Sequence, residues 1–380
     1  MCLTVKAALS SRKVGKMGGR SEASTNPSHL LQRIRGFTLV LIEDLCKGRT
    51  SLVSIDRYRT HCKLIGPGDK CSCNSDMTDG REIISMEKES HANRLDVLLR
   101  VLLITQKLLL EGKHASKRDI YYMHPSIFID QANVDRAISD TCILLHCSRH
   151  NLNVVSAGKG LVMGCLRFKE SNRMFNCIRR PSVAYPVPVY VEEVKHIMGF
   201  ARYILVVEKE TVFQRLANDK FCEMNRCIVI TGRGYPDVPT RRFLRLLIDE
   251  LSLPVYCLVD CDPFGFDILL TYRFGSMQMA YDAKLLRIPE IRWLGIFSSD
   301  AEAIGLPRRC LLPLTHRDKK KAEALLQRCY LHQQVPHWRL EIEKMLQREV
   351  KFEIEALSVF SISMLSEEHL PAKIQEGRHL

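Results

Sequence analysis

The sequence predicts an α/β protein of several domains, in which a winged-helix domain precedes a domain built on a parallel sheet. A chain of 380 residues is long enough for two hydrophobic cores. Three helical segments followed by two β-type runs around a glycine turn predict the winged helix. Further along, short apolar runs rich in Val and Ile alternate with helical stretches, which is typical of buried parallel strands.

Residues 1–28 form a basic segment rich in Ser, Gly, Lys and Arg, in which the first acid is Glu22. This composition predicts a disordered tail. An organelle transit peptide and an alternative start of the reading frame remain open.

Residues 29–94 are expected to contain one helix and a long linker. In residues 30–45 the spacing of Leu30, Ile34, Phe37, Leu41 and Leu45 gives one apolar helical face. Because the polar, turn-rich residues 48–91 follow, this face has no obvious partner within the chain. We therefore expect it to dock onto another protein, and folding back onto its own core is the alternative.

The linker also contains His61, Cys62, Cys71 and Cys73. A zinc site would need these residues as ligands, but the Cys-x-Cys pair lacks the usual two-residue spacer. A loop with incidental thiols is the preferred interpretation.

Residues 95–190 are assigned to the winged-helix domain. The predicted helices span residues 95–110, 116–122 and 132–146, and the predicted hairpin joins residues 152–156 to 161–168. In such domains the third helix enters the DNA major groove, and here Lys159 would lie at the tip of the wing. A winged helix that binds protein is the alternative.

The second predicted helix contains the first candidate catalytic residues. Arg118 and Tyr122 are four residues apart and therefore share a helical face. Tyrosine is a poor nucleophile at neutral pH, and an adjacent guanidinium would stabilise its phenolate or a bound phosphate. Spacing alone favours Tyr121 and Tyr122 being half-buried aromatic residues, and the catalytic interpretation depends on the acids found further along the chain. Lys117 is a candidate DNA contact in the same segment.

Residues 191–380 contain three acids that follow two apolar runs. Glu208 ends the run 203–207, and Asp260 and Asp262 follow the run 255–259. Because the carboxyl ends of parallel strands meet at one edge of a sheet, these acids are expected to converge there. Mg²⁺ held by carboxylates and phosphate oxygens would offset their repulsion. Capping of the following helices is the alternative for each acid alone.

Charge and composition narrow the class of protein. The formal charge of +13 favours a polyanionic partner, nucleic acid before a membrane surface. The 15 cysteines are scattered through predicted strands and helices without a signal peptide, which predicts reduced thiols in an intracellular protein. No apolar run approaches the length of a membrane span.

Four motifs in order resemble the A subunit of topoisomerase VI and its meiotic relatives, the plant meiotic form above all. They are Arg118-Asp119-Ile120-Tyr121-Tyr122, Val207-Glu208-Lys209-Glu210, Gly232-Arg233-Gly234-Tyr235-Pro236-Asp237 and Val259-Asp260-Cys261-Asp262-Pro263-Phe264-Gly265. The resemblance spans residues 30–372 and implies a winged-helix (CAP-like) domain followed by a Toprim domain with C-terminal helices. Phe264 stands where many relatives carry tyrosine.

The resemblance also implies roles for individual residues. Tyr122 matches the nucleophile and Arg118 the active-site arginine. Glu208, Asp260 and Asp262 match the Mg²⁺ ligands, whereas Arg233 and Tyr235 lie where the family approaches DNA. Tyr121 occupies a position where the family also has phenylalanine.

The activity implied is formation of meiotic double-strand breaks in the nucleus, through a 5′-phosphotyrosyl link that initiates recombination. The implied partners are double-stranded DNA, a second copy of the chain, a B-type subunit docked through the N-terminal region and other meiotic break factors. Two other interpretations stay open: the catalytic chain of a topoisomerase that reseals the break, and a non-catalytic DNA-binding scaffold.

Overall fold

The computed structural model describes residues 26–58, 78–276 and 286–380. The chain divides into two compact units, and in the described residues the first contains 26–58 and 78–156 and the second 157–276 and 286–380. Residues 1–25 lie outside the described residues, as do His61, Cys62, Cys71 and Cys73. The predictions made for them therefore stay predictions.

The first unit is mainly helical. Its helices are α1 (Pro27–Cys46), α2 (Glu89–Glu111), α3 (Lys117–Met123), α4 (Pro125–Phe128) and α5 (Gln131–Leu145), and its strands are β1 (Leu52–Tyr58), β2 (Thr78–Ser85), β3 (Ala115–Ser116) and β4 (Val154–Val155). The three helices predicted between residues 95 and 146 are confirmed as α2, α3 and α5. On α5, Val134, Ala137, Ile138, Thr141 and Leu145 form one buried face.

The expectation that the apolar face of α1 is free for a partner is wrong. Leu30, Ile34 and Leu41 are at most 5% exposed, and they share one core with residues of α2 and α5. The guanidinium of Arg33 also donates to the carbonyl oxygen of Leu145 over 2.6 Å. Helix α1 folds back because its own unit offers an apolar surface that matches its stripe.

The long linker predicted between residues 48 and 91 is also partly wrong. Strands β1 and β2 form an antiparallel pair, with Leu52 opposite Ser85 and Ile55 opposite Glu82. Val53 and Ile84 are buried in the core of the first unit. Alternating apolar residues in this segment therefore specify a ribbon that packs onto the helices.

The predicted wing does not form. Strand β4 pairs in parallel with β3, whereas the next strand, β5 (Leu161–Gly164), pairs with β11 (Ile228–Thr231) in the sheet of the second unit. The first unit accordingly ends near residue 156 and not at 190. Strand β5 is buried along nearly its whole length, which a sheet interior provides and an exposed hairpin does not.

The second unit is built on a six-stranded sheet of order β13-β12-β10-β11-β5-β8. Its strands are β5, β8 (Tyr185–Pro186), β10 (Ile204–Val207), β11, β12 (Val255–Leu258) and β13 (Arg292–Gly295). Strands β10 to β13 are parallel, and β5 and β8 are antiparallel to their neighbours. The chain passes from β10 to β11 on one side and then returns to β12 on the other. Such a reversal of strand order creates the ligand-binding crevice of open α/β sheets.

Helices cover both faces of this sheet, which explains its uninterrupted apolar strands. The helices are α6 (Glu210–Asn218), α7 (Phe221–Asn225), α8 (Val238–Leu251), α9 (Pro263–Phe274), α10 (Asp300–Ala303), α11 (His316–Leu326), α12 (Cys329–Gln333), α13 (Pro336–Arg348) and α14 (Leu370–Gln375). A separate three-stranded sheet contains β6 (Leu166–Glu170), β7 (Arg173–Asn176) and β9 (Val194–Gly199), and β14 (Leu312–Pro313) pairs with β15 (Val350–Lys351). None of the helices in the described part of the chain is long and apolar enough to cross a membrane.

Candidate active site

The short helix α3 presents Tyr122 to solvent. Ser116 starts this helix with a capping box, since its hydroxyl accepts from the N–H of Asp119 and the Asp119 carboxylate accepts from the N–H of Ser116. Ile120 anchors the helix in the core of the first unit, where it is fully buried. Tyr122 is 72% exposed, so its phenol is accessible to a large substrate.

Tyr121 and Tyr122 have different surroundings although they are adjacent in the chain. The Tyr121 ring is partly buried, and its hydroxyl donates to the carbonyl oxygen of Ile129 over 3.4 Å. The two rings meet edge to face with centroids 5.2 Å apart. Of the two side chains, that of Tyr122 is the more exposed to solvent.

The two basic residues on α3 also differ. Arg118 is exposed, and no hydrogen bond or ion pair of its side chain is found in the described parts of the chain. Lys117 is held by the Asp135 carboxylate at 2.8 Å. The more available cation is thus the guanidinium four residues before Tyr122, on the same face of the helix.

In the second unit, the candidate metal ligands lie at the carboxyl ends of β10 and β12. Glu208 follows β10 and accepts, through Oε2, the backbone N–H of Asp260 over 3.0 Å. Asp262 caps α9 by accepting the N–H of Gly265 over 2.6 Å. The structure therefore gathers Glu208 and Asp260 at the switch point of the sheet, with Asp262 at the start of the next helix.

The protonation of these acids reflects burial and mutual repulsion. Burial, followed by the charge of Asp260, raises the pKa of Glu208 to about 8. Burial also raises the pKa of Asp260 to about 6 and raises that of Asp262. A cation bound beside these acids would lower the cost of ionising buried, neighbouring carboxyl groups.

Gly265 leaves room beside these carboxylates. A Cβ atom at this position would lie 2.8 Å from Oε2 of Glu208 and 2.7 Å from the carbonyl oxygen of Asp260. Any larger residue would force the start of α9 away from β10. Glycine therefore lets the helix approach the acids closely.

The sequence did not reveal Lys209 as part of this site. Its ammonium contacts Asp260 Oδ2 at 2.8 Å, Glu353 Oε2 at 2.9 Å and Glu355 Oε2 at 3.0 Å. The N–H of Ile354 donates to Asp260 Oδ1 over 2.9 Å, so the segment 353–355 packs directly against this acid. The only sequence signal was the position of Lys209 directly after Glu208.

The Gly-Arg-Gly-Tyr-Pro-Asp segment forms a loop, residues 232–237, next to Glu208. The N–H of Gly234 donates to the carbonyl oxygen of Glu208 over 2.8 Å, and Gly234 has a φ of +86° that suits glycine. Arg233 also has a positive φ, and its guanidinium pairs with Glu210 at 2.9 Å. Tyr235 is 43% exposed, and its hydroxyl donates to Asp267 over 2.7 Å.

Lys159 lies against this loop and not at the tip of a wing. Its backbone N–H donates to Asp237 Oδ2 over 2.6 Å, and its ammonium donates to the carbonyl oxygen of Arg233 over 3.1 Å. The residue is therefore a support for the loop. Its predicted place in the winged-helix domain was wrong because β5 belongs to the second sheet.

The donor set fits a hard divalent cation. In the described ranges, no group of three or more His, Cys, Asp or Glu side chains is arranged to hold a metal ion by itself. Mg²⁺ does not need one, since it is commonly held by one or two carboxylates, waters and substrate phosphates. The close approach allowed by Gly265 and the raised pKa values of the acids agree with such an open site.

Comparison with known proteins connects both units to one family. Residues 203–374 match the Toprim domain shared by Spo11 and the A chain of topoisomerase 6, and residues 93–154 match the type IIB DNA topoisomerase model. The meiotic recombination protein SPO11-1 of Arabidopsis thaliana is 62% identical over 353 residues, which are 93% of this chain and 97% of the relative. The chain belongs to the Spo11/topoisomerase VI-A family.

Two more distant members agree with this assignment. The meiotic recombination protein SPO11 of Mus musculus is 34% identical over 97% of this chain and 93% of its own length. The topoisomerase 6 member of the family from Arabidopsis thaliana is 38% identical over 76% of this chain and 67% of its own length. The Toprim match contains Glu208, Asp260 and Asp262, and Toprim domains generally bind divalent metal. The second match contains Arg118 and Tyr122.

Proposed function

We propose that this protein makes the DNA double-strand breaks that initiate meiotic recombination in the nucleus, acting as a type IIB topoisomerase-like transesterase. The observation that carries the proposal is an exposed Tyr122 one helical turn from an exposed Arg118, in a chain that also brings Glu208 and Asp260 together at one sheet edge. The meiotic role follows the Arabidopsis and mouse relatives, whose names are those of meiotic recombination proteins.

The chemistry would be a transesterification. The Tyr122 oxygen attacks a DNA phosphorus in line, a tyrosyl O–P bond forms and the bond from phosphorus to the 3′ oxygen breaks. The proton lost by the phenol is balanced by the one gained at the 3′ hydroxyl. The protein is then linked to the 5′ end, and no water is consumed. Arg118 orients the phosphate or stabilises the phenolate.

Glu208, Asp260 and Asp262 would hold Mg²⁺. When bound there, Mg²⁺ supplies positive charge against the scissile phosphate and the leaving oxygen. These acids would contribute two or three carboxylate oxygens that are fixed at one edge of the sheet. The hydrogen bond from the Asp260 N–H to Glu208 and the cap formed by Asp262 support this part of the proposal.

The proposed partners are double-stranded DNA, a second copy of the chain, a B-type topoisomerase VI chain and other meiotic break factors. In the family arrangement, the tyrosine of one protomer acts with the metal site of the other, so that one dimer cuts both strands. Arg233 and Tyr235 are proposed DNA contacts. Lys117 and Lys159 are weaker candidates, because their ammonium groups are already engaged by Asp135 and by the carbonyl oxygen of Arg233.

Recovery of covalent protein–DNA complexes from meiotic tissue tests this function. The expected product is a short DNA attached through its 5′ end to this chain, absent when Tyr122→Phe replaces the wild type. Recovery of resealed, relaxed circles by the purified assembly would instead establish the topoisomerase activity. DNA binding without any covalent product in the complete assembly would establish a scaffold.

A further inference from the structure

The loop 232–237 is attached to both elements that carry the candidate metal ligands. On one side, the N–H of Gly234 donates to the carbonyl oxygen of Glu208. On the other side, the hydroxyl of Tyr235 donates to Asp267 Oδ2 over 2.7 Å. Asp267 lies on α9, the helix that Asp262 caps. The loop is therefore held between the end of β10 and helix α9.

Asp267 is a buried acid that is satisfied by three side chains. Its side chain is 11% exposed, and besides the Tyr235 hydroxyl it contacts the ammonium of Lys321 at 2.7 Å and the guanidinium of Arg328 at 2.9 Å. Although burial raises the pKa of Asp267, Arg328 and Lys321 together with the Tyr235 hydroxyl bring it below the ordinary value. The acid is hence an ionised acceptor throughout the neutral range.

These contacts leave only part of Tyr235 free for a ligand. The hydroxyl is engaged, and charge-assisted hydrogen bonds of this kind are the stronger ones. The residue is nevertheless 43% exposed, so a ligand can reach this side chain although its hydroxyl is already bonded to Asp267. Aromatic rings held rigidly at a nucleic-acid surface stack on bases or pack on sugars without sequence preference.

We propose that Asp267 is a positioning residue that fixes the Tyr235 ring beside the carboxylate site, so that the loop contacts DNA through the ring and not through the hydroxyl. The proposal rests on the DNA-cleaving function proposed above. It assigns Lys321 and Arg328 to the same task, because they hold the Asp267 carboxylate in place.

Tyr235→Phe in the full-length chain tests the hydrogen bond from Tyr235 to Asp267, because the change removes the hydroxyl and keeps the ring. We expect faster amide exchange in residues 232–237 of the free protein and about threefold to tenfold weaker binding to a DNA duplex, the range expected for one hydrogen bond. The Mg²⁺-dependent rise in melting temperature should stay at its wild-type value. Tyr185→Phe is the matched control, since no hydrogen bond of its hydroxyl is found in the residues that the structure covers.

Asp267→Ala and the double variant Tyr235→Phe/Asp267→Ala distinguish two roles of the Tyr235 hydroxyl. The hydroxyl either holds the ring through Asp267 or contacts DNA directly. On our proposal, Tyr235→Phe weakens DNA binding no further once Asp267 is removed. Losses that multiply in the double variant, or wild-type amide exchange in Tyr235→Phe, would overturn the proposal. Because Asp267→Ala leaves two cations without their acid, the exchange result for Tyr235→Phe decides the matter if that variant does not fold.

Tyr235→Ala distinguishes a failure of this inference from a failure of the proposed function. Wild-type DNA binding by Tyr235→Ala would show that Tyr235 is not a DNA contact, which removes that part of the proposed function and this inference with it. Weakened binding by Tyr235→Ala together with unchanged exchange in Tyr235→Phe would retain the DNA contact and reject Asp267 as its positioning residue.

Discussion

The backbone N–H of Asp260 donates to the carboxylate of Glu208 over 3.0 Å. Two acids from neighbouring parallel strands are thereby held together, although each raises the energetic cost of ionising the other. Burial and the charge of Asp260 raise the pKa of Glu208 to about 8, and burial raises that of Asp260 to about 6. The site thus binds protons near neutral pH unless a cation replaces them.

Mg²⁺ affinity should therefore rise with pH between 6 and 8. The pKa of Glu208 in the folded chain lies above its ordinary value of 4.5, so its protonated form stabilises the metal-free fold. That stabilisation is present at low pH and is lost as the pH rises through about 8. Because Mg²⁺ needs the ionised acid, binding should release protons at pH 7. Calorimetric titrations at pH 6, 7 and 8 measure both effects.

Substitution of the acids tests the same site. Glu208→Gln and Asp260→Asn should weaken Mg²⁺ binding and DNA cleavage, and EDTA should mimic both changes in the wild type. Glu208→Gln should also flatten the pH dependence. Glu250→Gln, an exposed acid on α8, serves as the control. Undiminished cleavage in a verified metal-free preparation would exclude the metal site.

Tyr122→Phe should abolish covalent attachment to DNA while folding and DNA binding stay nearly intact. The change removes one exposed hydroxyl and little volume, so its effect on the free energy of unfolding should be within about 0.5 kcal/mol. Tyr121→Phe is the matched neighbour and should retain activity, because its hydroxyl is bonded to the backbone carbonyl of Ile129. The reverse pattern, read on denaturing gels with labelled DNA, would reassign the nucleophile.

The sequence predicted those parts of the fold that depend on local periodicity. Helices α2, α3 and α5 and strands β10 and β12 follow from apolar spacing within about twenty residues, and the acids at the strand ends follow from parallel topology. The partner of β5 could not be predicted in this way, since β11 follows about sixty residues later. The glycine turn before β5 favoured a hairpin, and the long-range pairing prevailed.

In the candidate site, too, the sequence predicted the residues that follow local patterns and missed those that depend on long-range contacts. Glu208, Asp260 and Asp262 were predicted from their positions after strands, whereas Lys209 is linked to Glu353 across 144 residues of sequence. Asp267 carries no motif signal and is identified only by its contacts with Tyr235, Lys321 and Arg328. Side chains that support a site through tertiary contacts are therefore accessible only from the structure.

The buried face of α1 leads to a prediction opposite to the docking interpretation. Ile34→Glu or Leu41→Glu should destabilise the isolated chain by a few kcal/mol, on the order expected for a polar group in an apolar core. Ile42→Glu is the matched control, because Ile42 lies on the outer face of the same helix and is 49% exposed. Thermal unfolding measures the difference. Normal melting of Ile34→Glu would contradict the packing of α1.

Lys209→Met should destabilise the chain more at pH 8 than at pH 5. The substitution removes the ammonium that contacts Asp260, Glu353 and Glu355, so that three carboxylates lose their shared counter-charge. In the wild type Asp260 is ionised above a pH of about 6, and Lys209 favours that ionised form. Without the ammonium, ionisation of Asp260 beside the other two acids at pH 8 should cost on the order of 2 kcal/mol, less than for a fully buried pair because Lys209 is partly exposed. At pH 5 protonation of Asp260 relieves part of this cost.

Lys209→Arg and Lys319→Met serve as the controls for that measurement. Arginine keeps the charge and should restore most of the stability, whereas Lys319 forms an exposed pair with Glu349 whose loss should cost less than about 1 kcal/mol. Denaturant unfolding of the three variants at both pH values gives the comparison. An equal loss for Lys209→Met at pH 5 and pH 8 would mean that the lysine acts through packing and not through its charge on Asp260.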